Sequence, residues 1–203
     1  MARTAQHTTD SLLDAAVALF ASGGPGVVTM SGVAREAGAP SGSVYHRFPD
    51  RASLLAAMWI RTAARFGDGL AEVLGDEPDA ADVIKAAVWC VEWCREHLAE
   101  AAVLHAGRSA FMPDAWPPDL IQHEEAAEKA RRDATARLAR SIAVSSEADA
   151  DEIAFVLLDL PLAVVRPYLQ AGRPPTAGAR DLVRRIAGRT LGNPRPRTRT
   201  GRG

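Results

Sequence analysis

The stretch from Thr29 to Leu55 constrains the fold more than any other part of the chain. It contains two short helical patterns set close together. Thr29 is placed to cap the first, its hydroxyl accepting a backbone N–H that has no partner within the helix. Gly38 supplies the left-handed residue that closes it. Pro40 suits the first position of the second helix, where a missing N–H costs nothing. That helix is predicted to run to Phe48, and Pro49 ends it. Asp50 then caps a third helix beginning at Arg51. Helices this short do not hold themselves together in water and need an apolar floor from longer neighbours. Two short helices about a tight turn are the layout of a helix-turn-helix.

Those longer neighbours are legible on both sides. Upstream, Leu12, Leu13, Ala16, Val17, Leu19 and Phe20 recur at helical spacing over Thr9 to Ser22. Gly23-Gly24-Pro25-Gly26 stops that helix. Downstream, Leu54, Leu55, Met58, Thr62, Phe66 and Leu70 form the buried stripe of a helix reaching Leu74. Further helices are predicted at Ala80–His97, Glu100–Phe111, Leu120–Ala143, Asp149–Gln170 and Ala179–Leu191, with Met112 to Pro118 as a proline-rich loop. Pro161 should kink the helix that contains it. Aromatic residues make up only 5% of the chain, and no segment alternates like a strand. The expected fold is all-α: a three-helix N-terminal domain over 1–55, a larger helical bundle over 56–191 that also forms a dimer interface, and a disordered basic tail over 192–203. The helix at 51–74 links the two domains.

The net charge is −1, but it is unevenly spread. Residues 1–66 carry six arginines against four acids, residues 67–180 carry 11 basic against 20 acidic residues, and residues 181–203 carry seven against one. An acidic body with less acidic ends suits a protein that turns one end toward nucleic acid. Two cysteines are too few for a disulfide scaffold, and no apolar run is long enough to span a membrane. With a polar start and no leader pattern, a cytoplasmic location is expected.

On the second short helix, Val44 and Phe48 should face inward. Ser41, Gly42, Ser43, Tyr45, His46 and Arg47 should face outward, small at the N-terminal end and aromatic or cationic after it. Small residues let a helix end enter the major groove closely, and Tyr and His can hydrogen-bond flanking phosphates. The segment Thr29 to Leu55, with its Gly38 turn, its Gly42–Tyr45–His46–Phe48 run and its Leu54-Leu55 pair, resembles the DNA-binding domain of TetR-family transcriptional regulators. The resemblance begins near Leu12 and fades past Leu55. It implies an all-helical homodimer that binds double-stranded DNA, usually as a repressor, and a small-molecule effector held in the C-terminal domain. It implies that Thr29, Ser41, Ser43, Tyr45, His46 and Arg51 touch DNA, with Tyr45, His46 and Arg51 on phosphate and Ser41 and Ser43 toward bases. Ser31 and Gly42 complete the expected surface. Position 51 is usually Lys in the family and is Arg here. Position 32 is often polar and is Gly here, which removes a capping-box partner for Thr29.

The larger domain offers less specific signals. Trp89, Trp93, His105, Arg108, Phe111, Met112, Trp116, Phe155 and Asp159 are the expected lining of an apolar effector pocket. Asp159 sits in an apolar run and needs a partner if buried, either an arginine such as Arg166 or Arg108 or a cationic ligand. Ile153, Leu157, Leu160, Val164, Leu182, Val183 and Ile186 are the expected seam between two protomers. Cys90, Cys94 and His97 share one helix face and give the competing reading, a metal- or thiol-dependent sensor or a helical enzyme. Packing as small apolar residues is the stronger reading of the cysteines. No phosphate-binding glycine loop, nucleophile elbow or paired-histidine metal motif is present, so neither catalysis nor a cofactor or resident metal is expected.

Overall fold

A computed structural model describes residues 7–192, and every element in that range is helical. The first helix, α1 (Thr9–Gly23), starts at Thr8, whose hydroxyl accepts the Ser11 N–H. A 3₁₀ turn at Pro25–Val27 leads to α2 (Met30–Glu36). Next come the short α3 (Ser41–Arg47) and the long α4 (Arg51–Leu74). The larger domain continues with α5 (Ala80–Glu96) and α6 (Leu98–Ala106). Two 3₁₀ turns, Arg108–Phe111 and Pro113–Ala115, replace the second half of the helix expected to reach Phe111. After them come α7 (Pro118–Ala143), α8 (Ala150–Ala154), a π-helical segment (Phe155–Asp159), α9 (Leu160–Gln170) and α10 (Ala177–Thr190). The expected basic tail falls, from residue 193 onward, outside the described residues.

The π-helical turn has a local cause. Pro161 has no N–H to donate to the Leu157 carbonyl one turn back. The ladder shifts register here, and the Leu160 N–H bonds to the Phe155 carbonyl five residues earlier. The shift turns Asp159 outward. The carboxylate expected inside the apolar run is exposed and needs no buried partner.

Two apolar cores are present. One lies within the larger domain, built from α5, α9, α10 and the end of α7, and includes Val83, Val91, Ile153, Leu157 and Val183. The other joins α1 to α4, but it does not stop at residue 55. Met58, Trp59 and Ile60 belong to it, and so do Val103, Phe111 and Trp116 from much further along the chain. Phe111 is fully buried, with its ring 5.2 Å from Phe20 and 5.6 Å from Trp59. Trp116 donates its indole N–H to the Phe111 carbonyl at 2.7 Å, bracing the turn. Trp59 in turn donates to Glu124 of α7, a carboxylate only 2% exposed that also accepts from Arg131 at 2.7 Å. Buried and paired on two sides, this carboxylate ties α7 to α4.

Charged groups reinforce the same junction. Arg61 of α4 meets Asp14 of α1 at 2.7 Å and donates to the Asp10 carbonyl at 3.0 Å. Arg65 meets Glu100 of α6 at 2.9 Å, and Glu100 is also 3.2 Å from His97. The N-terminal helices are therefore fastened to α6 and the segment after it by packing and by charge. Phe111→Ala should cost about 3–5 kcal/mol, the usual loss for emptying a buried aromatic site. Urea unfolding of the intact protein measures it. A loss below about 1 kcal/mol would mean that the 3₁₀ turn does not complete the N-terminal core.

Candidate DNA interface and internal cavity

The helix-turn-helix is built from local capping. The Thr29 hydroxyl accepts the Gly32 N–H at 3.0 Å, and Gly38 has φ +62°. Gly32, which departs from the family pattern, allows this close approach. A β-carbon there would sit 2.8 Å from the Thr29 hydroxyl and 3.3 Å from the Val27 carbonyl. Pro40 stands just before α3 rather than at its first position, so Ser41 opens the helix. The Asp50 carboxylate accepts both the N–H and the hydroxyl of Ser53, at 2.7 and 2.8 Å. Those bonds, the backbone one foremost, hold its pKa below the ordinary carboxylate value.

Val44 and Phe48 are buried and fix the roll of α3. The opposite face carries Ser41, Gly42, Tyr45 and His46, all exposed, with Ser43 half-buried beside them. Tyr45 is 56% exposed, too much for a packed core aromatic. Thr29 and Ser31 are exposed at the start of α2, their hydroxyls 3.5 Å apart. Seven of the eight expected DNA-facing residues thus lie along the α2 start and the outer face of α3. The eighth, Arg51, is engaged differently. Its Nε donates to the Val28 carbonyl at 2.8 Å, and its terminal nitrogens donate to the Pro25 carbonyl and to the Met112 sulfur.

The larger domain holds an apolar cavity of about 240 Å³. Its wall comes from Phe66 of α4, from Cys90, Trp93 and Cys94 of α5, and from Ala101, Leu104 and His105 of α6. Leu157 and Leu158 of the π segment and Pro161, Leu162, Val165 and Leu169 of α9 complete it. Of the expected lining residues, Trp93 and His105 are on this wall. The others are elsewhere. Phe111 and Trp116 are spent in the N-terminal core, and Met112 is exposed next to Arg51. Trp89 packs on Phe66 and against Gly69, where a β-carbon would come within 2.6 Å of its ring. Arg108 lies over Trp116 and faces Glu125 and Glu128, while Phe155 and Asp159 point outward.

The three residues of the competing reading do not converge. Cys90 and Cys94 are on the cavity wall, but His97 stacks on Trp93 and pairs with Glu100 instead. Among the described residues, no group of three or more His, Cys, Asp or Glu side chains is placed to hold a metal ion. Burial pushes the Cys94 thiol up to about 11 and the Cys90 thiol higher still. Both are neutral thiols at physiological pH, and the neutral thiol is a poor nucleophile and metal ligand.

The expected protomer seam also needs correction. Ile153, Leu157, Leu160 and Val183 are buried inside one chain, where they pack α9 and α10 against α5. Val164, Leu182 and Ile186 are only partly covered. The strongly exposed apolar residues of these helices are Phe155, Leu158 and Leu162, each between 43% and 45% exposed. Among the described residues no helix is long and apolar enough to cross a membrane.

The sequence model of the tetR family of bacterial regulatory proteins matches residues 12–58. No curated protein matches the chain significantly. The fold is shared with solved structures of low identity. A TetR-like transcriptional regulator from a Rhodococcus species is 21% identical with a TM-score of 0.63, over 93% of this chain and 97% of that one. AmtR of Mycobacterium smegmatis is 19% identical with a TM-score of 0.67, over 95% of this chain and 89% of that one. A TetR-family transcription regulator from Marinobacter aquaeolei is 15% identical with a TM-score of 0.65, over 91% of this chain and 95% of that one. The family match over residues 12–58, with Val44 and Phe48 holding α3 outward, and the fold shared over nearly the whole chain together support a TetR-family transcriptional regulator.

Proposed function

We propose that the chain is a cytoplasmic, homodimeric repressor, without catalytic activity, that leaves a pseudo-palindromic operator when a small neutral molecule fills its cavity. The outer face of α3 carries the DNA-binding half of this reading. Ser41 and Ser43 reach base edges, and Gly42 lets the helix end approach them closely. Tyr45 and His46 hold phosphates on either side. Thr29 accepts a backbone N–H in its capping role, which leaves its hydroxyl proton to donate to a phosphate, with Ser31 beside it.

The cavity wall supports the choice of effector. It carries no carboxylate, Lys or Arg, so a charged group taken inside would be desolvated without a partner. His105 is the polar side chain that could orient an occupant by a hydrogen bond, with the two neutral thiols beside it. Release follows if an occupant that presses on Leu104 and His105 favours an α6 position in which the N-terminal helices sit at the wrong spacing for DNA. Neighbouring Val103 packs in the N-terminal core, so α6 cannot move without disturbing it.

Half-sites about 34–36 Å apart require two protomers. With Ile153, Leu157, Leu160 and Val183 spent inside the chain, the seam falls to Phe155, Leu158 and Leu162, joined by Val164, Leu182 and Ile186. Phe155→Arg, at an exposed position off the cavity wall, should leave the fold intact, turn dimer into monomer in light scattering, and abolish tight binding to palindromic DNA. A dimeric Phe155→Arg protein would place the seam elsewhere.

The reading as a whole is tested by capturing genomic fragments with the purified protein at moderate salt. A few enriched fragments sharing a palindrome, lost with Tyr45→Phe combined with Ser43→Ala, are the expected result. Indiscriminate capture, or none from refolded protein stripped of any copurified molecule, would overturn it.

A further inference from the structure

Arg51 stands where the family resemblance implies a phosphate contact, and its side chain is committed to the protein. Its three nitrogens reach three acceptors on two separate segments. The carbonyls of Pro25 and Val28 belong to the connection between α1 and α2. The Met112 sulfur, 3.3 Å away, belongs to the connection between α6 and α7. We propose that Arg51 is a positioning residue, a clamp that fastens the start of α2 to the start of α4 and both to the segment following the effector-binding helix, and that it is not a phosphate ligand.

Three observations support the clamp. Val28 immediately precedes Thr29, the cap of α2, and Arg51 opens α4, so one guanidinium fixes both ends of the frame that holds α3. Met112 is the one non-glycine among the described residues with positive φ, at 56°. Such a conformation persists where surrounding contacts over-determine it, and Phe111 on one side and Arg51 on the other do so. Finally, the chemistry requires arginine. A planar fork can serve three acceptors in different directions, whereas an ammonium is a point donor on a flexible stem. Arginine at a position where the family usually carries lysine fits a role that lysine cannot fill.

The experiment uses the full chain with Arg51→Lys, which keeps the charge and removes the fork. Amide hydrogen exchange of the DNA-free protein should rise at residues 25–33 and at 108–116 together, with the core of α5 unchanged. On duplex fragments recovered by genomic capture, Arg51→Lys should lose about tenfold or more in affinity, the effect of losing a charge-assisted hydrogen bond. The slope of log K against log salt should not change, since no phosphate contact is lost. Wild-type exchange in both segments, with full affinity retained by Arg51→Lys and a salt slope reduced by about one in Arg51→Gln, would overturn the clamp and restore the phosphate contact.

Should Arg51→Lys not fold, Met112→Leu keeps the apolar bulk and removes the sulfur acceptor. Faster exchange at 25–33, far from the substituted residue in sequence, supports the clamp, and unchanged exchange there overturns the link to Met112. The binding arm rests on the proposed DNA-binding function, but the exchange arm does not. A wild-type protein that captures no DNA would therefore defeat that function and leave the clamp to be decided by exchange.

Discussion

Phe111, wedged between Phe20 of α1 and Trp59 of α4, is the contact on which the rest of the structure depends. The helix-turn-helix is too short to assemble a core from its own residues. Leu12, Leu55 and Val44 give it a floor, and Phe111, with Val103 and Trp116, completes that floor from beyond residue 100. Completing it from the larger domain makes the two parts one packed unit at that point. Close-packed interiors transmit displacement rather than absorb it, because a shift of a fraction of an ångström forfeits contacts along the whole interface. The DNA-binding helices are thus packed directly against the part of the chain that follows the cavity.

The helix α6 is where the two cores meet. Val103 packs in the N-terminal core, while Leu104 and His105 next to it line the cavity. Adjacent residues on a helix project about 100° apart, so a single turn serves both sides. Gly107, at φ +75°, ends the helix and sends the chain into the turn that delivers Phe111. The Glu100 carboxylate at the other end of α6 pairs with Arg65 of α4, and Arg65 lies 3.7 Å from Asp14 of α1. Both ends of α6 are therefore tied to the N-terminal helices, one by charge and one by packing.

What the sequence disclosed and what it concealed divide along a physical line. Caps and breakers act over three or four residues. Thr29, Gly38, Asp50 and Pro161 could be read as sequence, and the structure uses each of them locally. Periodicity tells whether a residue is inside, but not inside what. Phe111 and Trp116 read as apolar bulk of the larger domain because nothing local says that a segment this far downstream turns back onto α1. Leu157 and Val183 read as an interprotomer seam because an apolar stripe on a late helix looks the same whether a neighbouring helix or a partner covers it. Phe155 and Leu162, on the flank of that stripe, are the apolar residues that the chain itself leaves exposed. Asp159 lies outside rather than inside because a π turn rotates the register, which a regular helical wheel does not anticipate.

Charge counting gives the sign of a region and not the place of each charge. Six arginines over residues 1–66 suggest a basic end, but a count does not show where a guanidinium is spent. Arg51 is taken by two carbonyls and a sulfur, Arg61 by Asp14 and the Asp10 carbonyl, and Arg65 by Glu100. Arg47 donates to the Ser43 carbonyl within α3. Much of the positive charge in this region holds helices together. The interface proposed on α3 is made mainly of hydroxyls, the Tyr45 phenol and close backbone approach, which are neutral donors sensitive to geometry. Neutral donors lose their value faster than long-range charge when a helix is displaced, because hydrogen bonds weaken steeply with angle while Coulomb attraction falls only with distance. The proposed release by a small movement fits that exchange: the arginines stiffen the frame, and the groups assigned to DNA on α3 are ones that a slight change of spacing would disengage.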